Sequence, residues 1–221
     1  MSNFLQGRFP LSNEQSFVQG AGRLLYADLA EPWPDGIEDL LVVAAGATIW
    51  DAAPGWNEAG YTKTGINITR NNAEDTFDVD QIRADIRRRP NNWEMSVGTQ
   101  LAEATLETFA LAWELPSDNT GAPDITTVTK ATQLDEQHVG LSAPLTYVER
   151  KIAVVFQFPD DIVRAWVFRR AYHAPQESGF TLNKTGEQVS LPLRFNCVAD
   201  PDATVDTQFG EIFEQIPGTG S

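Results

Sequence analysis

The sequence predicts a mainly β domain that carries one amphipathic helix, and three observations lead there. Runs with an apolar period of two recur at 66–68, 77–79, 93–97, 152–158, 162–172 and 189–197. Only the segment after Gly98 has a strong 3.6-residue period. The apolar fraction of 42%, with six Trp and twelve Phe, is that of a folded chain. At 221 residues, one large all-β domain is as reasonable as two small ones.

Residues 1–36 mix polar and aromatic groups without sustained periodicity and end in Glu31-Pro-Trp33-Pro-Asp-Gly36, so an N-terminal arm is expected. Gly20-Ala-Gly22 starts like a dinucleotide loop but lacks the third glycine and a preceding strand. The apolar run from Leu40 to Trp50, interrupted at Gly46, suits a buried strand, and a Gly/Pro-rich loop follows to Gly65. Ile66 and Ile68 then share one face, with Asn67 and Thr69 on the other. From about 70 to 92 a long charged loop is expected, with Arg83, Arg87, Arg88 and Arg89 before Pro90.

Trp93, Met95 and Val97 alternate with Glu94 and Ser96 as a strand. Over about 100–115 a helical wheel gathers Leu101, Leu106, Phe109 and Trp113 on one side, opposite Glu103, Glu107 and Glu114. Pro116 stops the helix, and its apolar side is expected to pack on the sheet. Ile152, Val154, Phe156 and Phe158 share one parity, and a turn at 159–161 joins them to 162–172 as a hairpin. Both faces of that second run look partly covered. In the last strand Leu191, Leu193, Phe195 and Cys197 alternate with polar groups, and Pro192 predicts an edge strand or an unpaired N–H side. The single domain thus spans 37–199, and the acidic tail 200–221, with Phe209 and Phe213, reads as a docking C-terminal arm.

A net charge of −15 disfavours a nucleic-acid reader, because phosphates are repelled. The charge is uneven. Seven acids and no Lys or Arg occupy 28–58, whereas 61–90 holds six of the sixteen basic residues. A basic loop on an acidic chain suits contacts between copies, and equally a solvated loop paired locally with its own acids. The single cysteine excludes an intrachain disulfide framework, and no run approaches the roughly 20 apolar residues of a membrane helix. The N-terminus shows no secretory signal, so synthesis in the cytoplasm is expected.

Catalytic templates are missing. His138 and His173 fall in no HExxH or His/Asp/Glu cluster, and no nucleophile elbow or P-loop is present. Asp200, Asp202 and Asp206 lack the Gly and terminal Glu of a calcium loop. Cys197 falls on the apolar parity of its strand, as a buried thiol does. No cofactor and no metal are expected, and the reading moves toward a binding or structural protein.

The order of features carries one resemblance. Trp56, Gly60-Tyr-Thr62 and Gly65-Ile-Asn-Ile68-Thr precede a polar loop with Asp80-Gln81. A strand then runs into Leu101-Ala-Glu103-Ala-Thr105-Leu106-Glu107. Over about residues 45–115 this resembles the major tail (tail tube) proteins of long-tailed, siphovirus-like bacteriophages. The resemblance implies a β-sandwich or half-barrel subunit with one helix, a long loop and extended arms. Six copies would form a ring, and rings would stack into a virion tail tube around a tape-measure protein, between distal tail or baseplate and tail terminator proteins. Genomic DNA would pass without specific binding.

On that reading Arg83, Arg87, Arg88 and Arg89, with Trp33 and Phe213, make contacts between subunits and rings. Asn67, Thr69, Glu94 and Ser96 become candidates for the lumen wall, and Trp93, Met95 and Val97 join the helix in the core. A gene transfer agent or injection particle would share the fold. A virion binding module would instead display an aromatic row, for which Trp166, Phe168 and Tyr172 are the candidates.

Overall fold

In a computed structural model of the protein the described residues are 22–43, 50–79, 82–102, 105–115, 124–129, 136–141, 147–157, 162–173 and 190–215. They hold twelve strands: β1 (Arg23–Asp28), β2 (Leu41–Val43), β3 (Trp50–Ala52), β4 (Trp56–Glu58), β5 (Asn67–Val79), β6 (Ile82–Leu101), β7 (Ile125–Val128), β8 (Glu136–Val139), β9 (Glu149–Gln157), β10 (Val163–His173), β11 (Leu191–Val198) and β12 (Gly210–Gln215). One helix, α1 (Leu106–Ala112), and a 3-10 turn at Ile37–Asp39 complete them. The protein is therefore mainly β, with antiparallel sheets.

The predicted 152–172 hairpin, β9–β10, is the centre of the fold. The main sheet runs β4-β1-β9-β10-β11-β6-β5. β9 follows one edge of β10 past a bulge between Phe168 and Ala171. The other edge is shared: β12 pairs residues 163–168 and β11 pairs residues 170–173, so the sheet forks at the bulge. The two ends of the strand path are also tied by the chain itself. Residues 59–66 leave β4 with Ala59 N–H on Leu24 O (2.9 Å) and reach β6 with Lys63 N–H on Gln100 O (2.7 Å). A Cβ on Gly22 would lie 2.7 Å from Phe156 Cε1 and 3.2 Å from Ile66 Cδ1, so a larger residue would push on the Phe156 ring where the start of β1 meets Ile66, just before β5.

The curled sheet encloses one core and carries a second on its outer face. Leu24, Val97, Ile152, Val154, Leu193 and Phe195 fill the inside, with Leu111 and Ala112 of α1 against them. Outside, Ala153, Val155, Ala165 and Val167 of the central hairpin pack with Ile37, Leu40 and Trp56. The double covering of 162–172 is thus real, and alternate side chains of one hairpin serve two cores. β2–β3 and β7–β8 form separate two-stranded sheets. Among the described residues no helix is long and apolar enough to cross a membrane.

Several elements differ from the sequence reading. The helix is two turns rather than four, because the alternation of Val97, Thr99 and Leu101 continues as strand and all three side chains are buried. Thr99 Oγ1 fixes this extension by donating to Gly65 O at 2.7 Å. The expected loop at 70–92 is the outer part of a β5–β6 hairpin paired as far as Val79↔Ile82. Residues 23–28, assigned to the N-terminal arm, are β1 inside the main sheet, and 210–215 of the expected C-terminal arm are β12. β11 is internal over 195–197, and Pro192 falls in the half whose described pairing is with β6 alone. The strand expected over 40–50 appears as β2 and the start of β3, with 44–49 outside the described residues.

Candidate assembly surfaces

The four wall candidates come together. Register sets Thr69 opposite Ser96, Asn71 opposite Glu94 and Asn67 opposite Gly98, so Asn67, Thr69, Glu94 and Ser96 share one face. β11 extends this polar row through Asn196, opposite Ser96, and β10 through Tyr172, opposite Asn196. Between them lies a depression of about 460 Å³ that also takes in Arg194. Arg194 and Asn196 were visible as the polar parity of their strand; their place beside Ser96 required the register.

The hairpin projects. β11 leaves β6 at Met95, and among the described residues β6 pairs over 82–94 with β5 alone. At about 3.3 Å per residue this ribbon reaches roughly 40 Å beyond the sheet. Arg87, Arg88 and Arg89 pair in register with Phe77, Thr76 and Asp75, and Arg83 lies near the tip. Their side chains fall outside what is described. A two-stranded ribbon is marginal alone.

Trp33 and Phe213 are placed within the chain. Both are half-buried against the outer core. Arg169, at the bulge, holds the Trp33 ring at 3.9 Å, donates from Nε to Thr207 O at 3.0 Å and pairs through Nη2 with Glu211 at 2.8 Å. One guanidinium thereby ties residues 33 and 207–211 to the sheet. Lys151 ties the preceding turn, donating from Nζ to the carbonyls of Leu29 and Glu31. Sequence reading missed both cations, because each sits within an apolar run.

The helix–sheet core is partly as expected. Val97 and Leu101 are buried, Leu101 from the strand rather than the helix, and Met95 packs at the core's edge. Leu106, Phe109 and Trp113 are half-buried, Phe109 and Trp113 with ring centroids 4.5 Å apart, while Thr108, Leu111 and Ala112 form the buried side. The helical wheel was rotated because its first member, Leu101, belongs to β6. Trp93 lies past the end of the core, 37% exposed, under the Arg70 guanidinium at 4.1 Å.

Behind α1 sits a buried polar cluster that carried no sequence signal. Glu114 is 1% exposed; its Oε1 accepts from Val148 N–H at 2.9 Å and lies 4.0 Å from Arg150 Nη1. Burial raises the Glu114 carboxyl above its ordinary range, against the opposing pull of Val148 N–H and Arg150. Burial likewise lowers the Arg150 guanidinium. His173 contacts Ala112 O through Nε2 (2.8 Å) and Arg194 O through Nδ1 (2.6 Å), joining α1 to β10 and β11. Burial lowers its pKa, opposed by those carbonyl contacts and assisted by Arg150.

At the fork of the sheet lies an apolar groove of about 670 Å³. Ile68 and Met95 line one wall, Phe156 and Trp166 the floor, and Phe209 and Ile212 the other wall. The aromatic row considered for a binding module does not form, since Phe168 is buried in the inner core on the parity of Trp166 and the bulge after it turns Tyr172 to the polar face. Tyr172 stacks instead on Tyr147, with centroids 4.9 Å apart.

Among the described residues no group of three or more His, Cys, Asp or Glu is placed to hold a metal ion. Burial pushes the Cys197 thiol up to about 12, which removes it as a nucleophile at neutral pH. No protein-family model matches the chain, and no curated protein matches it.

Proposed function

We propose that this protein is a non-enzymatic structural subunit of a bacteriophage tail tube, assembling into rings of about six copies that stack into a hollow conduit. The observation that carries the reading is the β5–β6 hairpin, which leaves the body of the fold and bears Arg83 and Arg87–Arg89 on a chain of net charge −15. The run Arg87–Arg89 on a ribbon with no partner strand over 82–94 other than β5, among the described residues, suits an acidic patch on a neighbouring copy. The polar row of Asn67, Thr69, Glu94 and Ser96 suits a wall that DNA passes without sticking, since acidic surfaces repel phosphate. In this reading the protein is made in the host cytoplasm, resides in the virion tail, and meets tape-measure, distal tail and tail terminator proteins.

Electron microscopy of concentrated protein tests it directly, with hollow stacked rings expected. Reversing Arg87–Arg89 to glutamates should leave a folded monomer that no longer stacks. Normal tubes from that variant would remove the hairpin arginines from assembly, and a wild-type protein that stays monomeric at high concentration would sink the reading.

A further inference from the structure

Strand β12 is attached to the fold differently from its neighbours. β1, β9, β10 and β11 each bury at least four residues, whereas β12 buries none. Phe213 is the one β12 side chain that packs on either core, and it is itself half-buried. The described ties of β12 are a ladder to residues 163–168 of β10 and ion pairs from Glu214 to Arg164 and from Glu211 to Arg169. Both pairs are partly exposed, so salt screens them. The outer edge of β12 has no strand partner among the described residues.

The strand also begins at a hinge. The loop before it closes on itself, with Asp200 N–H on Gln208 O at 2.7 Å. That loop is pinned to β10 where Arg169 N–H reaches Phe209 O (3.1 Å) and Arg169 Nε donates to Thr207 O (3.0 Å). Phe209 is thus anchored independently of β12. Gly210 follows at φ 147°, a backbone state that favours glycine. A Cβ there would fall 1.9 Å from Val167 O, so the chain crosses onto β10 at a position only glycine fits. Along its opposite edge β10 keeps its ladder to β9, with or without β12.

We infer that β12 is a strap that opens by itself about Gly210, latched by Glu211 and Glu214, and that when closed it withholds the 163–168 edge of β10 from other strands. A bared strand edge is a template for pairing with another chain, so the strap is an autoinhibitory cover. Segments with few buried contacts open at a lower free energy than the fold as a whole. This opening is a property of one chain, independent of ring assembly.

Hydrogen exchange of the full chain reads the strap directly. The β12 amides bonded to β10 should exchange faster than the ladder amides of residues 152–155 in β9, and faster still at high salt. Glu211→Gln with Glu214→Gln should speed the β12 amides roughly fivefold and leave those of β9 unchanged. Arg164→Cys with Glu214→Cys places two thiols at directly paired positions. The oxidised form of that variant should slow the β12 amides to the β9 rate, and reduction should undo the effect. Wild-type β12 amides that exchange at the β9 rate, with the same denaturant dependence, would show that the strap opens only with the whole fold and overturn the inference. An unchanged β12 rate in the double glutamine variant would overturn the latch.

Discussion

Glu114 shows how a single residue can work against local rules for the sake of tertiary contacts. Leu115 N–H bonds to Ala110 O (2.9 Å) and Glu114 N–H to Leu111 O (3.2 Å), which is a Schellman ending for α1. The left-handed position in that motif favours glycine, yet Glu114 occupies it at φ 52°. Its carboxylate is needed by Val148 N–H and Arg150. Glu114→Ala should therefore cost about 3–5 kcal/mol, as removal of one partner from a buried pair does. Glu114→Gly should cost about 1 kcal/mol less, because the same side chain is lost while the backbone strain is relieved. Denaturant midpoints of the two variants give that difference.

His173 supplies a pH dependence. Its folded pKa lies below the ordinary 6.5, so the unfolded chain binds the proton first. The stability it contributes is present above about 6.5 and is lost as pH falls through the depressed folded value. Glu114 has the opposite sign: its raised pKa favours the fold below 4.5 and loses that contribution as pH rises. In urea unfolding between pH 5 and 7.5, His173→Gln should therefore remove a contribution that falls toward the acid side, so the slope of stability against pH changes between wild type and variant. An unchanged slope would separate His173 from the acid response.

Among the elements, α1 is the one whose energetics follow from being short. A two-turn helix is unstable by itself and is held by capping and packing. Thr105 Oγ1 accepts from Thr108 N–H at 3.2 Å, and Thr105→Ala should cost about 1 kcal/mol. Leu111, 2% exposed in the inner core, should cost roughly 2–5 kcal/mol on change to Ala. Trp113→Ala should cost less than Leu111→Ala, because Trp113 is half-buried and leans on Phe109. Thermal melts of the three variants test the order; a larger loss at Trp113 would return the helix to the face the wheel assigned it.

For the whole molecule, the fork at β10 organises every surface that the proposed assembly uses. One branch, β11-β6-β5, carries the polar row and the projecting hairpin; the other, β12, borders the groove. Shortening the hairpin by removing 74–89 should leave the curled sheet and both cores intact, since every described core residue of β5 and β6 lies outside that range. The shortened protein is expected to melt as a cooperative unit near the wild-type temperature and to remain monomeric. Loss of cooperative melting would make the hairpin part of the fold rather than of assembly.

The sequence by itself determined the class of fold, the central β9–β10 hairpin, the inward parity of Leu191, Leu193, Phe195 and Cys197, and the polar parity of Asn67, Thr69, Glu94 and Ser96. A period of two is a local property, so it is legible wherever one face of a strand is buried and the other wet. The tertiary structure decided what depends on partners distant in sequence. Leu101 fits a strand or a helix equally until Thr62 and Leu191 pair with it on either side. The 73–79 and 82–92 segments read as a loop because their charges mask the pairing between them. Trp33 and Phe213 read as arm residues until Arg169 and the outer core claimed them. The bulge at 168–171, which forks the sheet and splits the aromatic row, is one extra residue between two strands, visible only in their register.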